Sequence, residues 1–220
     1  MGLVAIGDLH GCSLTLEVLL DRIDIKEDDH LVFVGDYIDR GPDSKGVIDR
    51  LLQLSQRVKC TFLRGNHEAL FLGYLDQGEF DIWSYNGGTT TLDSYAVPGQ
   101  GFVIPEEHIR FVRETVMYLD TDEFLFVHAG LKPDRSVATN LADGDEMVFL
   151  WEREHLRFAD ADLPWEKTVV CGHTPVSAPV NGERLINIDT GCVYYMRPSL
   201  GYLTAVRLPE REFISVPFMG

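Results

Sequence analysis

Five short segments hold most of the residues able to do chemistry. They are Gly7-Asp8-Leu9-His10-Gly11, Gly35-Asp36-Tyr37-Ile38-Asp39-Arg40-Gly41, Arg64-Gly65-Asn66-His67-Glu68, His128-Ala129-Gly130 and Gly172-His173. Together they offer carboxylates, imidazoles and an amide oxygen, the donors that divalent cations such as manganese, iron and zinc accept. None contains a cysteine, which argues against a structural zinc site. Taken singly, each has a plain explanation: a Gly-Asp after a strand is ordinarily a turn, and a lone histidine is ordinarily a hydrogen-bonded core residue. Their number changes the balance. Of seven histidines, His10, His67, His128 and His173 directly follow apolar runs that read as strands. His30, His108 and His155 do not, and are expected at the surface.

The elements that must position these residues can be read from periodicity. Apolar runs at 3–7 and 31–35 read as buried strands, and 59–63, 123–127 and 167–171 read as further strands. Helical spacing covers 13–23, 44–56 and 69–75, so the first half predicts βαβ units and a parallel sheet. The carboxyl ends of parallel strands share one edge, where ligands bind. That edge would gather Asp8, His10, Asp36, Asn66, His128 and His173. A pair of cations needs a bridging carboxylate, and Asp36 is the natural choice. Residues 73–101, rich in glycine, read as a long surface excursion. Within it Trp83, Tyr85, Asn86, Gly87 and Gly88 either rim a pocket or cover the core. A helix opens at Pro105 with Glu106 and Glu107 in its first turn, and another helical stretch covers 143–153. The last third reads as strands at 184–188, 202–208 and 212–216, the last two forming a hairpin. No linker interrupts the chain, so residues 1–220 are expected to form one domain.

Composition narrows the function classes. The 220 residues carry 19 Lys and Arg against 35 Asp and Glu, a net charge of −16. Such a balance disfavours binding to nucleic acid or to an anionic membrane, although a bound dication can reverse the field locally. No stretch is apolar enough to span a bilayer, and the first residues lack the basic and apolar regions of a secretion signal. Cys12, Cys60, Cys171 and Cys192 have no CxxC spacing and are expected as reduced thiols in a cytoplasm.

Asp8-x-His10, Gly35-Asp36-x-x-Asp39-Arg40-Gly41, Gly65-Asn66-His67-Glu68, His128-Ala129-Gly130 and Gly172-His173, with Asp189-Thr190-Gly191 beyond, resemble the signature of the PPP-type metallophosphatases within the calcineurin-like superfamily. The resemblance implies an α/β fold of two mixed sheets packed as a sandwich and flanked by helices. It implies two divalent metal ions, most simply manganese, with iron or zinc as alternatives. Asp8, His10 and Asp36 would hold the first, and Asp36, Asn66, His128 and His173 the second. Arg40 and, by a looser match, Arg153 would bind the substrate phosphate. His67 would be the general acid and Asp39 its orienting partner. Asn66 and His67 are expected on an extended segment, pointing to opposite sides. The resemblance thus points to a metal-dependent phosphomonoester hydrolase acting on phosphoserine or phosphothreonine proteins or on small phosphoesters. A symmetrical dinucleoside tetraphosphate hydrolase is the alternative, although those relatives typically lack an aspartate at the position of Asp39. A non-catalytic metal-binding module is a third reading, disfavoured because no ligand position is lost.

Overall fold

A computed structural model describes residues 2–220. Strand and helix alternate through the first half: β1 (Leu3–Ile6), α1 (Ser13–Arg22), β2 (His30–Phe33), α2 (Ser44–Ser55), β3 (Lys59–Phe62) and α3 (Asn66–Gln77). Next come α4 (Phe80–Tyr85), α5 (Gly88–Ser94), a small hairpin of β4 (Ala96–Val97) and β5 (Gly101–Phe102), and α6 (Glu106–Arg113). They lead to β6 (Tyr118–Asp120), β7 (Phe124–Val127), α7 (Val137–Asp143) and α8 (Glu146–Trp151). The remaining strands are β8 (Thr168–Cys171), β9 (Val180–Asn181), β10 (Leu185–Asn187), β11 (Tyr202–Leu208) and β12 (Glu212–Pro217).

The strands form two five-stranded mixed sheets, ordered β12-β11-β1-β2-β3 and β6-β7-β8-β10-β9. In each, three neighbouring strands run parallel (β1, β2 and β3; β7, β8 and β10) and the others are antiparallel. The strand period of two sorts the core into layers. Ala5, Val32 and Val206 face Phe126, Val170 and Ile186 between the sheets. Val4, Ile6, Leu31 and Phe33 point the other way, onto α1 and α2. Leu125, Val127, Val169 and Cys171 likewise meet α7 and α8 behind the second sheet. Strands covered on both faces are apolar at every position, which is why these runs are legible in sequence.

Several expectations need correction. Residues 73–101 are not a loop: α3 runs on to Gln77, and α4, α5 and the β4–β5 hairpin fill the rest. The stretch at 143–153 breaks at Gly144, left-handed at φ 61°, which ends α7 before α8 begins. The three stray histidines are buried rather than superficial. His30 bonds Thr61 Oγ1 at 2.8 Å, and His108 bonds the Tyr95 hydroxyl at 2.7 Å. His155 packs against Trp165, and neither of its ring nitrogens has a hydrogen-bond partner.

Burial lowers His155 from 6.5 to about 4. Between those values the unfolded chain binds a proton that the native imidazole refuses. Stability from this group is therefore full above pH 6.5 and is lost as the pH falls toward 4, by up to about 3 kcal/mol. Urea unfolding of wild type and His155→Gln at pH 7 and pH 4.5 checks this: the variant should lose less stability on acidification. An equal loss in both proteins would show that His155 is not the cause.

Candidate metal centre and active site

The loops after the parallel strands converge on one place, though from the edges of two sheets rather than the single edge expected, and they do so through costly backbone. His10, Asp36, Asp39, Arg40 and His173 all have positive φ, between 42° and 72°. They make up five of the seven non-glycine residues in that region among those described. Each such residue costs on the order of 1 kcal/mol and persists only where its surroundings hold it. The main restraint is Glu68, to which sequence reasoning assigned no role. Its carboxylate accepts the backbone N–H groups of Asp36 (2.8 Å), Tyr37 (2.8 Å) and Gly65 (2.9 Å). One side chain thereby joins the loops after β2 and β3. Gly65 is required here, because a Cβ would lie 2.2 Å from Asp36 Oδ1. A glutamate three residues after a helix cap is a recognisable capping signal, although its reach to a second loop is not.

Asp36 stands between two groups of donors. Its Oδ2 lies 3.5 Å from His10 Nε2, and its Oδ1 lies 3.4 Å from His128 Nε2. Two sets of potential ligand atoms result, each within 4.8 Å of one another: His10, Asp36 and His67; and Asp36, His128 and His173. Asn66 joins the second, its Oδ1 being 3.0 Å from His128 Nε2 and 2.9 Å from His173 Nδ1. Asp8 lies beside them, accepting the His173 backbone N–H at 3.0 Å through Oδ2. Asn66 and His67 occupy the first turn of α3 rather than an extended segment. Successive helical positions still point about 100° apart, so the two side chains diverge for a different reason from the one expected.

The donor chemistry fits cations. His128 donates Nδ1–H to the Val34 carbonyl at 2.8 Å, which leaves a lone pair on Nε2. That lone pair faces the oxygens of Asn66 and Asp36, so acceptors confront acceptors. His10 is set the same way, with Nδ1 on the Ile38 carbonyl at 3.0 Å. Asp8 Oδ1 is buried without a partner. Burial, with Asp189 and Asp36 nearby, pushes the Asp8 carboxyl well up. Burial lowers His10 to about 3 and also lowers His128 and His173, keeping the imidazoles neutral as ligation requires. Residues of this kind suit two oxygen- and nitrogen-ligated divalent cations.

Both arginines reach the site. Arg40 Nη1 lies 2.8 Å from His10 Nε2, and Arg153 Nε donates to His173 Nε2 at 3.0 Å. Arg153 is exposed, as a plain surface arginine would be, yet its head group turns inward. His67 is fully buried, with Nδ1 2.7 Å from Asp39 Oδ2 and Nε2 without a partner. Two residues that the sequence analysis named without a catalytic or ligand role also reach the site, Trp83 as a fully buried core side chain. Asp189, buried beside Asp8, is raised to about 7 by burial while accepting the Gly191 N–H at 2.8 Å. Trp83, from α4, reaches Asp39.

The model of the calcineurin-like phosphoesterase family matches residues 1–202. A Geobacillus sp. (strain WCH70) protein named bis(5'-nucleosyl)-tetraphosphatase PrpE (asymmetrical) is 31% identical over 238 residues, covering 96% of this chain and 92% of its own. A solved structure, described as "Crystal structure of a putative diadenosine tetraphosphatase", superposes with a TM-score of 0.72 at 25% identity over 100% of this chain and 94% of its own. A Saccharomyces cerevisiae protein serine/threonine phosphatase shares the fold, with a TM-score of 0.62 at 16% identity over 100% of this chain and 80% of its own.

The geometry around Asp36 leads to a test by metal content. Asp36→Asn keeps the side chain's shape but weakens both groups of donors, so it should lower occupancy at two sites. Asp8→Asn, on one flank, should affect one. Metal per chain after manganese loading and desalting measures both. Equal losses in the two variants would remove Asp36 from the bridging position.

Proposed function

We propose that this chain, which belongs to the calcineurin-like phosphoesterase family, hydrolyses phosphate esters and anhydrides, with a dinucleoside polyphosphate as preferred substrate. The observation that carries the reaction is the buried His67–Asp39 pair, 2.7 Å apart, with His67 Nε2 left unpartnered beside the metal-ligand cluster. Asp8, His10 and Asp36 would hold one divalent cation, and Asp36, Asn66, His128 and His173 the other, with manganese the first candidate. Bound there, the cations would acidify the attacking water and neutralise charge on the phosphoryl oxygens.

The chain's own residues supply the rest. Arg40 and Arg153 donate to imidazole nitrogens from either side of the site. An arriving phosphate offers them charged, bidentate acceptors instead. His67 gives a proton from Nε2 to the departing oxygen, while Asp39 holds the ring through Nδ1. The neighbourhood of His10, Asp36 and His67 also admits a rival role in which His67 is a ligand, with Asp39 fixing its tautomer. Metal content separates the two, because an acid can be removed without releasing metal.

Two observations support the dinucleotide. Full-length relatives near 30% identity are named as asymmetrical tetraphosphatases, not the symmetrical kind. A cleft of about 690 Å³ opens beside Arg40, lined in part by Pro42, Val193, Tyr195, Met196 and Phe218. The exposed Tyr195 ring, stacked on Phe218 at 4.0 Å, offers a flat face for a base next to a phosphate anchor. A phosphoserine or phosphothreonine monoester is the second reading, and the acid pair favours it: an alkoxide needs a proton to leave, whereas a nucleotide phosphate barely does.

The manganese-loaded enzyme should show a higher kcat/KM on diadenosine tetraphosphate, yielding ATP and AMP, than on phosphoserine or phosphothreonine peptides. A reversed preference selects the second reading. Two ADP as product would contradict asymmetric cleavage. His67→Asn should retain both metals and lower kcat on alkyl phosphates by about 10²–10⁴-fold, the usual loss for a general acid. It should affect p-nitrophenyl phosphate and the tetraphosphate far less. Equal loss on every substrate, or loss of a metal, would make His67 a ligand.

A further inference from the structure

Asp39 is gripped from a direction that the reaction itself does not explain. Besides His67, its Oδ2 accepts the indole N–H of Trp83 at 2.9 Å, and that N–H lies 3.1 Å from Oδ1. Thr91 donates its hydroxyl to Oδ1 at 2.7 Å. The Asp39 backbone N–H is shared between Thr91 Oγ1 at 2.9 Å and Ser44 Oγ at 3.1 Å. Asp39, His67, Trp83, Thr91 and Ser44 are all fully buried. Trp83 and Thr91 come from α4 and α5, the insert that separates α3 from the β4–β5 hairpin.

The insert is built for this reach. The Trp83 ring stacks on Tyr74 of α3, centroids 4.8 Å apart and nearly parallel at 17°. It also lies so close to Gly88 that a Cβ there would stand 2.4 Å from the indole. Gly87, left-handed at φ 104°, turns α4 into α5 and accepts the Arg40 N–H at 3.3 Å. One insert thus contacts two consecutive residues, Asp39 and Arg40, that hold φ of 72° and 68°.

We infer that Trp83 and Thr91 are positioning residues for the general acid: they fix the Asp39 carboxylate in one orientation, which aims His67 Nε2 at the departing oxygen. The inference rests on the acid reading of His67 given above. Neither residue needs to touch substrate. A carboxylate bonded only to His67 could rotate and carry the imidazole with it. One held by donors on both oxygens cannot rotate without breaking a buried hydrogen bond.

The test uses Trp83→Phe, which keeps an aromatic ring but removes the donor, and Thr91→Val, which keeps the shape but removes the hydroxyl, each loaded with manganese. Metal per chain and KM should match wild type. On ethyl phosphate, kcat should fall by about 10–100-fold, short of the full loss expected on removing the acid. On p-nitrophenyl phosphate it should change less than about threefold, because that leaving group departs without a proton. Thr91→Ser should restore the alkyl rate. In a His67→Asn background, Trp83→Phe should cost nothing more. The His67 Nδ1 proton, observed by NMR in the metal-free protein, should shift or broaden in Trp83→Phe. Equal losses on the two esters, a further loss in the double variant, or an unmoved Nδ1 resonance would reduce Trp83 to a packing role. If His67→Asn alone lost metal or slowed both esters equally, the acid reading itself would fall, and that is visible before Trp83 is changed.

Discussion

Three hydrogen bonds to the Glu68 carboxylate hold the rest of the site in place. The donors are the backbone N–H groups of Asp36, Tyr37 and Gly65, from two loops that leave adjacent parallel strands. A buried carboxylate needs such compensation, since burial and the nearby Asp36 push its proton affinity up to about 8 while the Tyr37 and Gly65 N–H groups oppose this. The consequence is local rigidity. Asp36 is kept at φ 52°, where its two oxygens face different histidines. Loosening that anchor would let one loop relax toward ordinary backbone and separate the two donor groups.

Charge explains why the arrangement is built for cations. Asp8, Asp36, Glu68 and Asp189 lie together in a buried region. Like charges held away from water disfavour one another, and Asp8 and Asp189 are pushed up accordingly, with burial the larger cause. The histidines on the same edge are kept neutral by burial, so they relieve little of this until something positive arrives. The net charge of −16 therefore says little about the site. A local dication would govern the field that a phosphate meets.

The two sheets supply a stiff edge, and the loops supply the chemistry. Each sheet keeps its three parallel strands adjacent, so their carboxyl ends lie side by side. His10 and Asp36 come from the first sheet's edge, His128 and His173 from the second's, and the centre lies where the edges meet. The α4–α5 insert adds a third support from outside both sheets, bonding Asp39 through Trp83 and Thr91.

Much of this is written in the chain. Strands buried on both faces must be apolar throughout, so 3–7, 31–35, 123–127 and 167–171 could be read without a partner. The parallel-sheet rule could place the ligand-type residues that follow them at strand carboxyl ends, but those strands belong to two sheets, and only the packing of one sheet on the other brings the two edges together. The hairpin at 202–208 and 212–216 was equally plain, but its position beside β1 was not, because strand order depends on pairing across some 200 residues of sequence. Tertiary contact also decided what looked like surface. His30, His108 and His155 are polar by type and do not follow a strand, yet each is buried, His30 against Thr61, His108 against Tyr95 and His155 against Trp165. Trp83 and Thr91 sit in a stretch whose glycines suggest a loop, and only the approach of Asp39 gives their donors a purpose. Periodicity and turn chemistry act over a few residues, so the sequence declares elements and reactive groups. Which of those groups share a hydrogen bond is settled by packing, which brings together residues that local rules cannot connect.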